Sequence, residues 1–253
     1  MKLSWIIAAA AAAAVTSSSL AATIVSIGRV SGYHENRMPG SQGTIGGGEF
    51  TVTGSGAGLR GLGSDINSNS FQSFCLELDQ FLSSGTNDYA VQIDTTVRSG
   101  SPGVDFVSQG TAWLYERFRS GALAANGYDY TVGSDRASSA SSLQLAIWFL
   151  QGQFDDPANW GTSPRPGRNE LLWAEFDGPN SDARNFVAAA QAAVADAFAP
   201  YAGGRVRVLN VGPTPDGGNW SNQDLLTLIP LPTGGGLAAA GLLGLVALRR
   251  RRA

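Results

Sequence analysis

Alternating apolar and polar residues predict β-strands in the first half of the chain and again near its end. The alternation, which is typical of a strand with one buried face, covers residues 23–32, 49–54, 70–82, 89–97, 205–211 and 224–229. The first two stretches are typical of exposed edge strands, and the glycine-rich residues 35–48 between them predict a loop. Residues 70–82 alternate most regularly and predict a central strand, with residues 89–97 as its hairpin partner.

The middle of the chain changes to the spacing of helices. Apolar residues recur every three to four positions over residues 104–120, 135–151 and 181–199. Gly121 and Gly152 predict the C-terminal ends of the first two helices. Residues 143–150 are apolar except for Gln144, so this half of the second helix is expected to be buried.

Strands that flank a helical middle part predict an α+β domain. We expect a β-sandwich or a barrel-like sheet with an inserted helical subdomain, formed as a single exported domain by residues 22–228. That length is sufficient for one hydrophobic core and short for two. A signal helix is expected before this domain, in residues 1–21, and a single apolar helix after it, within residues 229–253.

The N-terminal residues have the three parts of a secretory signal peptide. Lys2 supplies a positive charge and residues 6–15 are apolar. Ser19 and Ala21 are the small residues that a signal peptidase recognises. Cleavage is therefore expected before Ala22, and the mature chain is expected to be exported.

The C-terminal residues combine a proline motif, an uncharged apolar stretch and a basic cluster. The motif is Pro230, Leu231 and Pro232, the apolar stretch is residues 234–248, and the cluster is Arg249, Arg250, Arg251 and Arg252. The apolar stretch is marginal for spanning a bilayer, which requires about 20 residues, and the arginines favour the cytoplasmic side. We expect this helix to reside transiently in the inner membrane, and a permanent single-span anchor is the alternative.

This tail resembles the PEP-CTERM class of sorting signals of Gram-negative bacteria, and in particular its VPLPA variant. Ile229 and Thr233 stand where that variant has valine and alanine. The resemblance implies an exosortase-like processing peptidase as a partner, which cleaves near the proline motif. It also implies delivery of the cleaved chain to the cell surface or the extracellular matrix.

The charge balance narrows the class of partner. The chain has 17 lysines and arginines against 20 aspartates and glutamates, and removal of Lys2 and the four terminal arginines leaves 12 against 20, a net charge of −8. A protein of this charge is not expected to bind nucleic acid or an anionic membrane surface. Cys75 is the only cysteine, so no intramolecular disulfide can form, although export would permit one.

Two short motifs around Cys75 and Gln144 resemble the signatures of bacterial thioester domains. The motifs are Phe74-Cys75-Leu76-Glu77 and Leu143-Gln144-Leu145-Ala146-Ile147-Trp148, within residues 71–151. In that family, known chiefly from surface adhesins of Gram-positive bacteria, the cysteine and glutamine side chains condense into an internal thioester that captures amines covalently. The resemblance implies that Cys75 supplies the sulfur and Gln144 the acyl group, for adhesion to amine- or hydroxyl-bearing targets.

A thioester persists only where water is excluded. Apolar neighbours are expected to shield this one: Phe74, Leu143, Ile147, Trp148 and Trp113. Glu77 shares the strand face of Cys75, where a carboxylate is placed to assist proton transfer. The alternative is a non-covalent structural or binding protein of the exopolysaccharide matrix, in which Cys75 is a small buried hydrophobic residue and Gln144 hydrogen-bonds a strand edge. The identity of the surface or matrix ligand stays open.

Other chemistry is only weakly indicated. No catalytic residue, cofactor or metal is expected, and the chain is expected not to be an enzyme, with a hydrolase as the third possibility. His34, the only histidine, is interpreted as a solvated loop residue. The acidic residues 155–156 and 177–182 lack the spacing of a calcium loop. Three tryptophans are interpreted as core or loop anchors rather than as a sugar-binding face: Trp160, Trp173 and Trp220.

Overall fold

The computed structural model describes most of the central part of the chain. The described residues are 23–35, 47–54, 69–78, 80–83, 85–98, 105–158, 166–179, 181–212 and 222–229. The predicted signal peptide and the chain from residue 230 onward, with the proline motif, apolar stretch and arginine cluster, lie outside them. In the part that is described, no helix has both the length and the apolar character of a membrane span.

Strands occupy both ends of the described part of the chain. They are β1 (Thr23–Gly28), β2 (His34–Glu35), β3 (Gly47–Gly48), β4 (Phe50–Gly54), β5 (Ser70–Ser73), β6 (Asn87–Asp94), β7 (Thr96–Val97), β8 (Asp105–Phe106), β9 (Val206–Val211) and β10 (Leu225–Leu228). Six of them form one antiparallel sheet in the order β10-β9-β6-β1-β4-β5. The short strands pair separately, β2 with β3 and β7 with β8.

The six-stranded sheet is nearly closed, because its two outer strands meet beyond the end of β5. There the N–H of Leu76 donates to the carbonyl of Asp224 (3.0 Å), and the N–H of Leu226 donates to the carbonyl of Phe74 (3.1 Å). We call this junction the seam; at its centre Cys75 pairs with Leu225. The predicted α+β class is confirmed, and of the two predicted sheet forms the structure has the nearly closed one.

The predicted positions of several strands within the sheet are wrong. β1 lies between β6 and β4, and β4 lies between β1 and β5, so neither is an edge strand. β6 pairs with β1 and β9 and is not the hairpin partner of β5. Alternation shows which face of a strand is buried but not which strand lies beside it; here Tyr89 of β6 is buried opposite Val25 of β1. β5 itself ends at Ser73 rather than at residue 82.

In the described part of the chain, four helices lie between β8 and β9, and three of them overlap the three predicted ones. They are α1 (Gln109–Arg119), α2 (Ser134–Leu150), α3 (Pro166–Phe176) and α4 (Ala183–Ala193), with a 3₁₀ turn at Ala122–Asn126. Gly121 and Gly152 follow the ends of α1 and α2 with φ of 75° and 66°, the left-handed conformation that favours glycine. The sequence did not predict α3, and α4 ends well before residue 199 because Val194 is extended (φ −122°, ψ 154°).

Helix α2 is the central element of the helical layer. It packs against the β2–β3 pair on one side and against α1, α3 and α4 on the others. Because neighbours surround it, its second half is buried as predicted, with only Phe149 partly exposed. This packing places Gln144 inside the protein, next to the seam of the sheet.

Candidate functional site

At the seam, the backbone N–H and C=O of Cys75 make no hydrogen bond to Leu225. In the pairing of Cys75 with Leu225, the hydrogen bonds are made by the flanking residues Leu76 and Phe74. The N–H and C=O of Cys75 therefore point away from Leu225, as those of a non-hydrogen-bonded pair do. The partner strand on that side, β4, pairs with β5 only as far as Ser73.

Gln144 satisfies both of these backbone groups. The N–H of Cys75 donates to Oε1 of Gln144 (2.9 Å), and Nε2 of Gln144 donates to the carbonyl of Cys75 (2.8 Å). Cys75 is 1 % exposed and Gln144 is 0 % exposed. The carboxamide thus takes the place of a peptide group in a neighbouring strand, where an unpaired buried backbone group would be costly. The structure therefore brings together the two residues that the motifs singled out.

Other side chains hold the rest of this segment, and no pattern in the sequence indicated them. The N–H of Leu78 donates to Oε1 of Gln153 (3.1 Å). Nε2 of Gln223 donates to the carbonyl of Glu77, and the hydroxyl of Tyr115 donates to the carbonyls of Gln72 and Leu226. Their sequence signal is weak: Gln153 lies three residues after the apolar run that ends at Leu150, and Gln223 lies two residues before the run that begins at Leu225.

Gln151 provides a second clamp of the same kind, one that involves no cysteine. It lies seven residues after Gln144 and directly follows Leu150, the last residue of α2. Its Oε1 accepts from the N–H of Ser108 (2.7 Å), and its Nε2 donates to the carbonyl of Phe106 (3.2 Å). A glutamine that bonds an extended segment is therefore a recurring structural device here, and Gln151, although partly exposed, serves as a control for Gln144 that involves no cysteine.

The environment of Cys75 keeps its thiol protonated at neutral pH. Burial raises the pKa of Cys75 well above its ordinary value, the charge of Arg29 lowers it, and the carboxylate of Glu77 raises it. Glu77 is itself buried, at 2 % exposure. Formation of a thiolate at Cys75 would thus require a base to accept the proton as the reaction proceeds.

Four of the five predicted shielding residues are removed from solvent. Phe74, Leu143, Ile147 and Trp148 are each at most 2 % exposed, and the ring of Phe74 lies edge-on to that of Phe118 at 5.0 Å. Trp113 differs from them, because it is only partly buried and lines a surface cleft with Glu116 and Tyr201.

The interpretation of His34 as a solvated loop residue is wrong. His34 lies in β2, is 7 % exposed and packs edge-on against Phe50 at 5.0 Å. Burial, followed by the charge of Arg29, lowers the pKa of His34 to about 4, so the ring is neutral at physiological pH. The glycine-rich residues that follow His34 predicted a loop. A local pattern carries no information on Phe50, the aromatic residue that packs against the histidine.

Several predicted residues lie outside the described part of the chain. These are Pro230, Leu231, Pro232, Arg249, Arg250, Arg251, Arg252, Trp160 and Trp220. Trp173 is described and lies in α3, where it packs against the aromatic core residues Phe149 and Phe176. Among the described residues there is no group of three or more histidine, cysteine, aspartate or glutamate side chains that could hold a metal ion.

Comparison with known proteins identifies no relative. The chain matches no protein-family model, no curated protein and no solved structure. Function must therefore be inferred from the residues themselves.

Proposed function

We propose that the chain is an exported surface or matrix protein, not an enzyme, that forms an internal thioester between Cys75 and Gln144. The thioester then attaches the protein covalently to amine- or hydroxyl-bearing targets. The observation that carries this proposal is the hydrogen bond from the N–H of Cys75 to Oε1 of Gln144. It holds the carboxamide beside the cysteine in a junction from which water is excluded.

The same hydrogen bond supports the chemistry of bond formation. Sγ of Cys75 attacks Cδ of Gln144, and negative charge develops on Oε1, where the N–H of Cys75 already donates. A backbone N–H at that place acts as an oxyanion-stabilising donor, an arrangement that lowers the barrier of acyl transfer. The thiol proton passes to Nε2, with the carboxylate of Glu77 as the proposed helper, the Cδ–Nε2 bond breaks, and ammonia leaves.

In the capture of a target the sulfur of Cys75 is the leaving group, whereas in thioester formation it is the nucleophile. The nitrogen of a target amine attacks Cδ, the Cδ–Sγ bond breaks, and the proton of the amine passes to the sulfur. The target is then joined to residue 144 by an amide bond, and Cys75 is again a thiol. A hydroxyl reacts in the same way and leaves an ester. The buried apolar residues around the junction protect the thioester from hydrolysis in the meantime.

The intact mass of the protein tests this proposal directly. We expect the purified native protein to weigh one ammonia less than the residues that remain after processing, and Cys75 to resist alkylation under denaturing conditions until methylamine has opened the bond. The Cys75→Ser variant, which lacks the thiol, serves as the control and should have its full sequence mass. A full sequence mass for the native protein, together with free alkylation of Cys75 on denaturation, would contradict the thioester.

The alternative is a non-covalent structural or binding protein of the matrix, and two observations favour it. The carboxamide of Gln144 already has a complete structural role, because it satisfies both backbone groups of Cys75. Gln151 has the same role without any cysteine nearby in the sequence. The mass measurement separates the two functions, because only the thioester changes the covalent structure.

The sorting tail is proposed on the resemblance of the sequence alone. Replacement of Pro230 and Pro232 by alanine, or deletion of residues 249–252, is expected to leave export intact but to block release by the processing peptidase. The variants should accumulate in the inner-membrane fraction, because the apolar stretch remains inserted. Normal surface delivery of a chain that lacks residues 230–253 would show that the tail is dispensable.

A further inference from the structure

A cleft of about 380 Å³ opens between helix α1 and the segment that follows α4. One side of α1 contributes Gln109, Trp113 and Glu116, and the opposite wall consists of Val194, Tyr201 and Ala202. This volume lies within the range of small-molecule sites, about 300–1,000 Å³. The cleft is on the other side of α1 from Tyr115, which contacts the seam, so it is separate from the Cys75–Gln144 pair.

Backbone hydrogen bonds fix the two walls of the cleft to each other. The N–H of Gln109 donates to the carbonyl of Ala199 (2.8 Å), and the N–H of Tyr201 donates to the carbonyl of Val107 (2.8 Å). The N–H of Gly110 also donates to the carbonyl of Ala197 (2.9 Å). The cleft is therefore preformed, so a ligand would not have to order its walls.

The side chains in the cleft combine flat apolar surfaces with hydrogen-bonding groups. Trp113 and Tyr201 are both partly exposed, and the hydroxyl of Tyr201 donates to Oε1 of Glu116 (3.3 Å). The amide of Gln109 adds a further donor and acceptor. Aromatic faces accept the C–H face of a ring, while a carboxylate and an amide bond its hydroxyl groups.

The charges around the cleft indicate a neutral ligand. The carboxylate of Glu116 disfavours an anion. The guanidinium of Arg117 lies over one face of the Trp113 ring, 5.2 Å from its centroid, where its positive charge disfavours a second cation. A ligand that stacks on Trp113 must therefore use the other face. A hydroxylated, uncharged ring satisfies both conditions.

We propose that this cleft binds a neutral saccharide unit, stacked on Trp113 and Tyr201 and hydrogen-bonded by Glu116 and Gln109. The site goes beyond the proposed covalent attachment and does not depend on it. It would allow the protein to hold a polysaccharide reversibly, whether or not the thioester forms.

Calorimetric titration with neutral hexasaccharides tests the site. The probes are cellohexaose, maltohexaose and laminarihexaose, and we expect at least one to bind reversibly. Trp113→Ala should weaken that binding about tenfold, since loss of a stacking ring and its buried area is worth about one factor of ten or more. Glu116→Gln, which keeps the shape of the side chain, should weaken it severalfold and carries the test if Trp113→Ala does not fold.

Two matched controls separate this site from the rest of the molecule. Trp173→Ala removes a partly buried tryptophan of α3 that is not in the cleft, and it should leave saccharide affinity unchanged. Cys75→Ala removes any thioester and should also leave it unchanged, so failure of covalent capture and failure of this site are distinguishable. Oligogalacturonate and tetramethylammonium are titrated as an anionic and a cationic probe, and binding of only these two would overturn the proposal. Absence of binding of all three hexasaccharides, or an unchanged affinity in a folded Trp113→Ala or Glu116→Gln variant, would overturn it as well.

Discussion

The Gln144→Ala variant is expected to lose all covalent capture of a fluorescent amine and to be strongly destabilised. The substitution removes the acyl group of the proposed thioester. It also leaves the N–H of Cys75 buried and unpaired and, where no thioester has formed, its C=O as well, at a cost of about 1–3 kcal/mol for each group. Amine labelling and denaturant unfolding of the purified variant measure the two effects separately.

The Cys75→Ala variant distinguishes the thioester from packing. Gln144 bonds only to the backbone of residue 75, so these hydrogen bonds survive the loss of the thiol. Without a thioester, the free energy of unfolding should fall by no more than a typical core truncation, about 0.5–3 kcal/mol. With a thioester, the variant also loses a crosslink between residues 69 apart, worth about 4 kcal/mol in the loop-entropy model that is used for disulfides. The bond from Nε2 of Gln144 to the carbonyl of residue 75, which is absent once ammonia has left, returns in the variant and offsets about 1 kcal/mol of that loss.

A double-mutant cycle between these two residues provides the decisive comparison. If the bond exists, either substitution removes the same crosslink, so the losses in Cys75→Ala and Gln144→Ala should be far from additive. The matched control is Gln151→Ala, which removes a comparable clamp on Ser108 and Phe106 and should lower stability without changing amine capture. Additive losses, with no labelling of the parent, would make Cys75 and Gln144 ordinary core residues.

The second large effect is expected at a buried ion pair that joins α2 to the sheet. Arg136 makes two hydrogen bonds to the carboxylate of Glu49, both 2.8 Å, and its remaining nitrogen donates to the carbonyl of Tyr130 (2.8 Å). The hydroxyl of Tyr128 also donates to Glu49, and the guanidinium lies 4.1 Å from the ring centroid of Tyr33. The pair is almost completely buried, with side-chain exposures of 5 % and 0 %.

Substitution of either partner alone should therefore be severe. Arg136→Met leaves the carboxylate of Glu49 buried without its counter-ion, and we expect a loss of about 3–5 kcal/mol in the free energy of unfolding. Burial, and then Glu49, raise the pKa of Tyr128 well above its ordinary value, so Tyr128 remains a hydrogen-bond donor in the variant but cannot neutralise the carboxylate. Denaturant unfolding monitored by circular dichroism gives the free-energy difference.

An exposed ion pair in the same molecule provides the control. Nε of Arg184 lies 2.6 Å from Oδ1 of Asp177, and the two side chains are 55 % and 45 % exposed. Arg184→Met should cost less than about 1 kcal/mol, because solvent screens exposed pairs. The double variant Glu49→Gln/Arg136→Met should lose less than the sum of the two single losses. A cost for Arg136→Met no larger than that for Arg184→Met would show that the buried pair contributes no special stability.

The sequence by itself determined the class of the fold and the central pair of the candidate site, Cys75 and Gln144. Helical periodicity with one polar residue in an apolar run located Gln144 in a buried helix, since only a satisfied polar group persists in such a position. Gly121 and Gly152 predicted the ends of α1 and α2 because the conformation required there favours glycine. Local patterns suffice for these features because they depend on residues within a few positions of one another.

Only the tertiary structure decided how the strands are arranged and which groups meet. The alternation around Cys75 predicted a long central strand, but its regular pairing ends at Ser73, and the seam with Leu225 provides the next contact. Charged side chains such as those of Glu49 and Arg136 usually lie at the protein surface. These two are buried because they neutralise each other, although they are 87 residues apart in the sequence. Strand neighbours, buried charge pairs and the amide clamp on Cys75 all join residues far apart in the chain, and a pattern that reports local burial carries no information about such partners.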